Sequence, residues 1–181
     1  ADHWIYNAAF GGIAGKADND DSGTISEVHF KDCSNTANIT ITNTSEAKTF
    51  SVSLGGILGR AWGSNSSGAL GDPSDSRYQH KVFFSGCSNN ADLTNRMISG
   101  AMSQAYNSKS FTGGIAGTVN ICPSVFEDAV CTFEGCTSAG KVVPYDYVGE
   151  GQLVRPGLCS VCGGFVGGGA YVTFKDCKVT A

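Results

Sequence analysis

Phe10-Gly-Gly-Ile-Ala-Gly15 is the stretch that decides the fold, because it returns three times. The later copies are Leu54-Gly-Gly-Ile-Leu-Gly59, Thr112-Gly-Gly-Ile-Ala-Gly117 and Cys162-Gly-Gly-Phe-Val-Gly167. Each is followed by a second recurring stretch: Val28-His-Phe-Lys-Asp-Cys33, Val82-Phe-Phe-Ser-Gly-Cys87, Cys131-Thr-Phe-Glu-Gly-Cys136 and Val172-Thr-Phe-Lys-Asp-Cys177. Phe30, Phe84, Phe133 and Phe174 hold one place in it, and Cys33, Cys87, Cys136 and Cys177 another. Further on, an aliphatic residue recurs as Ile39, Leu93 and Val142. Two motifs in fixed order, four times over, define a repeat protein. Its single domain, 1–181, divides into units of approximately 1–42, 43–100, 101–148 and 149–181.

Local chemistry says what each unit is made of. Thr24 to Phe30 alternates apolar and polar residues, and Asn38-Ile-Thr-Ile-Thr42 is β-branched with period two, so both read as strands. Ser34-Asn-Thr-Ala37 between them is turn chemistry. Lys16 to Gly23 and the longer Arg60 to Lys81 read as polar insertions, and Cys122-Pro123 lies in the third unit's linker. About three short strands per unit, none joined to its neighbour by a two-residue turn, fit one coil of a parallel β-helix. The expected class is therefore all-β: a β-solenoid of about four irregular coils with long loop insertions. Two coils per unit is the alternative, because the glycine runs lie far apart. The recurring Phe and Cys side chains are expected to stack inward as a core ladder.

Composition excludes some functions. Twenty-five glycines suit turns and bends and disfavour long helices. A net charge of −4 argues against a nucleic-acid partner, which needs clustered Lys and Arg. No apolar run approaches the roughly 20 residues of a membrane-spanning helix. The chain starts at Ala1 without Met, which reads as a processed chain or a fragment. It opens on apolar Trp4-Ile-Tyr6 and stops at Val179-Thr-Ala181, without an evident cap at either end. Excision from a longer array of repeats, or end-to-end stacking of the chain on itself into a filament, are the two expectations this raises.

The pairing of Gly-Gly-Ile-Ala-Gly with a following Phe-x-x-Cys-Ser-Asn resembles the GLUG-type repeat of bacterial cell-surface and adhesin-like proteins. It is also similar to the polymorphic outer-membrane proteins, whose paired motifs are Gly-Gly-Ala-Ile and Phe-x-x-Asn. Here Cys33, Cys87, Cys136 and Cys177 stand where the asparagine would be, so the second match is partial. The resemblance covers nearly all of the chain. It implies a right-handed parallel β-helix, an extracellular or cell-surface location, and a non-catalytic role in attachment or surface architecture. Partners would then be further repeats of the same protein, a second copy, or a glycan or host surface. It carries over no catalytic residue.

The candidate sites are few. Asp18, Asp20, Ser22 and the Thr24 carbonyl, with Gly23 at the turn, copy the ligand spacing of a calcium loop. His29 stands where such a loop has a bidentate Glu, so a solvated acidic turn is the competing reading. No cofactor is expected, unless this loop takes calcium. Asn38, Asn43 and Asn65 begin glycosylation acceptor triplets, relevant if the source is a secreting eukaryote. Cys122, Cys131, Cys159 and Cys162 lie outside the ladder and are candidates for a disulfide. Cys159-Ser-Val-Cys162 also has the spacing of a zinc knuckle or redox pair, although Cys162 shares its slot with Phe10, Leu54 and Thr112. Trp62, Tyr78, Tyr106, Tyr145 and Tyr147 read as loop aromatics able to meet sugar rings, or to fold back over the coil. A carbohydrate-active β-helix enzyme is the rival from another class. Its carboxylates would come from Asp72, Asp75, Glu127, Asp128, Asp146 and Glu150, which are scattered over different units. His3, His29 and His80 share no motif.

Overall fold

The computed structural model describes residues 5–19, 26–43, 50–63, 80–98, 109–121, 131–148, 159–169 and 172–180. Among these the chain is all-β, with no helix. The first unit supplies β1 (Ile5–Gly11), β2 (Ala14–Asn19), β3 (Ser26–Lys31), β4 (Ser34–Asn35) and β5 (Ile39–Asn43). The second supplies β6 (Phe50–Gly55), β7 (Leu58–Gly63), β8 (His80–Ser85), β9 (Ser88–Asn89) and β10 (Leu93–Ile98). The third supplies β11 (Lys109–Gly113), β12 (Ala116–Ile121), β13 (Cys131–Glu134), β14 (Thr137–Ser138) and β15 (Val142–Val148). The fourth supplies β16 (Cys159–Gly163), β17 (Val166–Gly169), β18 (Val172–Lys175) and β19 (Lys178–Val179).

Each strand pairs in parallel with the equivalent strand of the adjoining unit. The orders are β1-β6-β11-β16, β17-β12-β7-β2, β18-β13-β8-β3, β19-β14-β9-β4 and β15-β10-β5. The register keeps the repeat motifs level with one another. Phe10 lies opposite Leu54, and Leu54 opposite Thr112; Phe30 lies opposite Phe84, and Phe84 opposite Phe133. Stacking at one strand spacing, about 4.8 Å, places identical side chains directly over one another.

Two expectations about the strands need correction. The Gly-Gly-Ile-x-Gly run forms a corner between two strands, since β6 ends at Gly55 and β7 starts at Leu58. A Cβ on Gly55 would fall on the Leu58 carbonyl oxygen and press against the backbone of Gly117, so only glycine fits this corner. The Ser34-Asn35 stretch after Cys33, read as part of a turn, is a two-residue strand, β4, paired in parallel with β9 after Cys87. Each of the first three units therefore holds five short strands, and the described part of the fourth holds four, where the sequence pattern suggested three.

The core is a column between the sheets. Ile57, Leu58, Ala61, Val82, Phe84, Cys87, Ile115, Ala116, Val119, Cys131, Phe133 and Cys136 of the second and third units are buried in it, joined from the first unit by Phe30. The equivalent residues of the outer units are more open. Ile13, in the slot of the fully buried Ile57 and Ile115, is 54% exposed. Burial thus follows a residue's height in the stack as well as its type.

Candidate functional site

The most ordered constellation is the Phe and Cys column. Phe30 and Phe84 stack at 5.0 Å, Phe84 and Phe133 at 4.5 Å, and Phe133 and Phe174 at 5.1 Å between ring centroids. Their planes lie within 24° of parallel. Phe165, from the fourth glycine run, tilts against both Phe133 and Phe174. The ring at the far end of the column, Phe174, is 49% exposed, whereas Phe30 at the near end is 9% exposed.

Beside the rings runs the column of thiols. The Cys87, Cys136 and Cys177 thiols donate to the carbonyls of Phe30, Phe84 and Phe133, at 3.2, 3.6 and 3.3 Å. Each therefore bonds back to the phenylalanine of the preceding unit. Cys33, in the first unit, donates to the Lys31 carbonyl of its own turn. Burial pushes the Cys33 thiol up from its ordinary value. The hydrogen bond between Cys136 and Cys87 favours the Cys87 thiolate and holds the proton on Cys136. Cys87 is shifted down and Cys136 up.

The backbone enters each ladder cysteine through a left-handed turn. Asp32, Gly86, Gly135 and Asp176 occupy it, with φ of 52°, 62°, 60° and 51°. The Asp32 carboxylate sits against the Gly86 α-carbon, in the space a side chain there would need. Outward of the turn, Lys175 pairs with Glu134 at 2.5 Å on an exposed face.

The other sequence candidates separate. Asp18 lies in β2, where the expected polar loop continues as a strand to Asn19. Its carboxylate is gripped through both oxygens by Arg60 of β7. This ion pair is mostly buried and engages the first oxygen donor of the proposed calcium loop. Asp20, Ser22 and Thr24 lie outside the described residues. Asn38 is exposed, and its side-chain oxygen accepts the Asp92 N–H at 2.9 Å. Asn43 ends β5, and Asn65 lies outside the described residues.

Among the cysteines off the ladder, Cys131 is a free, fully buried thiol. It occupies the inward slot of Val82 and Val172, and burial pushes it up to about 12. Cys159 and Cys162 lie in β16, level with Lys109 and Thr112, and Cys122 lies outside the described residues.

Trp62, Tyr145 and Tyr147 were expected in loops, and the backbone corrects this. Trp62 belongs to β7, level with Asp18 and Asn120, and the two tyrosines belong to β15. Parallel pairing on both sides carries β7 into what looked like the start of the insertion. Tyr78 and Tyr106 lie outside the described residues, as do His3, Asp72, Asp75, Glu127, Asp128 and Glu150. Asp146 is in β15 and His80 in β8. His29 stacks on Phe83 at 4.7 Å, on the outer face of β3 and β8. Among the described residues no three His, Cys, Asp or Glu side chains gather as metal ligands.

One feature escaped the sequence reading: polar side chains that bond one unit to the next. Asn35 donates to Asn89 at 2.8 Å, both buried, and Asn89 donates in turn to the Ala91 carbonyl. The Asp92 carboxylate accepts the Lys141 N–H at 2.9 Å, as Asn38 accepts that of Asp92. Ser34 and Ser88 bond at 3.0 Å, and Ser53 and Thr118 at 2.7 Å. The signal was available, since Asn35 and Asn89 share a motif position. It was masked because Ser-Asn is ordinarily turn chemistry. No protein-family model, curated protein or solved structure matches this chain.

Proposed function

We propose that the chain is a structural or adhesive module of an extracellular or cell-surface protein, built as a right-handed parallel β-helix of about four coils. The observation that carries this reading is the direction of its polar bonding. Among the described residues a set of side-chain hydrogen bonds runs along the stack: Asn35 to Asn89, Asn38 through Asp92 to Lys141, Asp18 to Arg60, Glu134 to Lys175. Groups that could serve chemistry thus hold one coil to the next. Buried polar groups satisfied in this way fix a unique register, which is what a rigid scaffold needs. The resemblance to GLUG-type and polymorphic outer-membrane repeats supports the same role and location, with a glycan or host surface as the ligand class.

The test separates binding from turnover. The chain is incubated with a panel of neutral and acidic polysaccharides and extracellular-matrix proteins. Retention on one of them, with no new reducing ends and no unsaturated sugar products, is the expected outcome. Product release would assign the chain to the carbohydrate-active enzymes instead.

A further inference from the structure

We propose that the cysteine column is a site of thiol–disulfide exchange that closes two staples, Cys33–Cys87 and Cys136–Cys177, tying the first unit to the second and the third to the fourth. The geometry begins with register. The N–H groups of Ser88, Thr137 and Lys178 bond to the carbonyls of Cys33, Cys87 and Cys136, each at 2.9 Å, so successive cysteines are level across adjoining strands. Parallel neighbours lie about 4.8 Å apart, inside the window of about 4.4–6.8 Å between α-carbons that a disulfide spans. The thiols of Cys87, Cys136 and Cys177 each lean toward the preceding unit, donating to the carbonyls of Phe30, Phe84 and Phe133.

Access then decides which pairs form. Cys87 and Cys136 are fully buried, whereas Cys33 and Cys177 are half-buried at the two ends of the column. A reagent from solution reaches the end thiols first. Among the described residues the one ladder neighbour of Cys33 is Cys87, and that of Cys177 is Cys136. Closing both end pairs leaves no inner thiol to make Cys87–Cys136.

The oxidant is a low-molecular-weight disulfide. The Cys33 thiolate attacks one of its sulfurs, forming a mixed disulfide and releasing the other half as a thiolate that takes up the proton Cys33 lost. The Cys87 thiolate then attacks the Cys33 sulfur and expels the second half as a thiol. The protein dithiol loses two hydrogens and the small disulfide gains them. At the other end Cys177 is the attacked thiol and Cys136 the resolving one.

The full chain is reduced, freed of reductant and incubated natively with 2-hydroxyethyl disulfide, then alkylated and mapped by mass spectrometry. Cross-linked peptides joining Cys33 to Cys87 and Cys136 to Cys177 are expected, with the thermal midpoint raised by about 10 °C and restored by reductant. A Cys33→Ser variant should keep the Cys136–Cys177 link and leave Cys87 a thiol. Stalling at mixed disulfides on Cys33 and Cys177, a dominant Cys87–Cys136 link, or oxidation of Cys87 in the Cys33→Ser chain would each overturn the proposal.

Discussion

Cys131 shows how one position of the repeat sets a measurable property. It stands level with Val82 and Val172, facing into the column, and is fully buried. Its thiol is held protonated up to about 12, against an ordinary value of 9.0. Unfolding releases it to ionise at that ordinary value. Between the two values the unfolded chain binds one proton fewer, so this residue lowers stability by about 1.4 kcal/mol per pH unit as pH rises. Below pH 9 the contribution is constant. Cys131→Val, already the residue at the same level in neighbouring units, is expected to match the parent at pH 7. It should be more stable than the parent above pH 9, by a margin that widens with pH. Urea midpoints measured from pH 7 to 10.5 check this, and parallel curves would show that the thiol is not buried as described.

At the scale of elements, the phenylalanine column behaves as a stack whose members differ only in what lies above them. Phe84 and Phe133 have a ring on either side and are 1% and 0% exposed, whereas Phe174 is 49% exposed. Phe133→Ala is therefore expected to cost about 3–5 kcal/mol, the usual loss for a fully buried aromatic. Phe174→Ala should cost less than half as much, since roughly half of its surface is already in water. Denaturant titration of both variants checks the ratio, and equal losses would mean that the two rings do not belong to one graded column. The recurring Phe, Cys and aliphatic positions made the repeat legible, because identical residues at a fixed place in every unit are the signature of stacked coils. The corners were not legible. A two-residue strand such as Ser34–Asn35 is too short to show alternation, and its inward Asn35 is satisfied only by Asn89 of another unit. The long β7 was hidden for a similar reason: Arg60 looks like loop chemistry until Asp18 is placed beside it.

For the whole molecule, the open question is whether the two ends of the stack fit each other. An in-register contact would set the fourth unit of one copy beneath the first unit of the next, with β18 against β3 and β19 against β4. The apolar ladders would continue, Phe174 to Phe30 and Cys177 to Cys33. The surface around them would not. Both units carry Phe-Lys-Asp-Cys, so Lys175 would meet Lys31 and Asp176 would meet Asp32 at one strand spacing. Like charges directly opposite one another destabilise a strand pair. Within the chain, the residue stacked above Asp32 is Gly86, and the Asp32 carboxylate occupies the place of its missing side chain. Asp32 of a second copy offers no such space to Asp176. Two like-charged contacts disfavour self-stacking. Sedimentation velocity is expected to give a single species at the monomer mass of 18.7 kDa across a dilution series, in low and high salt alike. A concentration-dependent series of end-to-end oligomers would instead establish the filament, with the half-exposed Phe174 and Val179 as its joint.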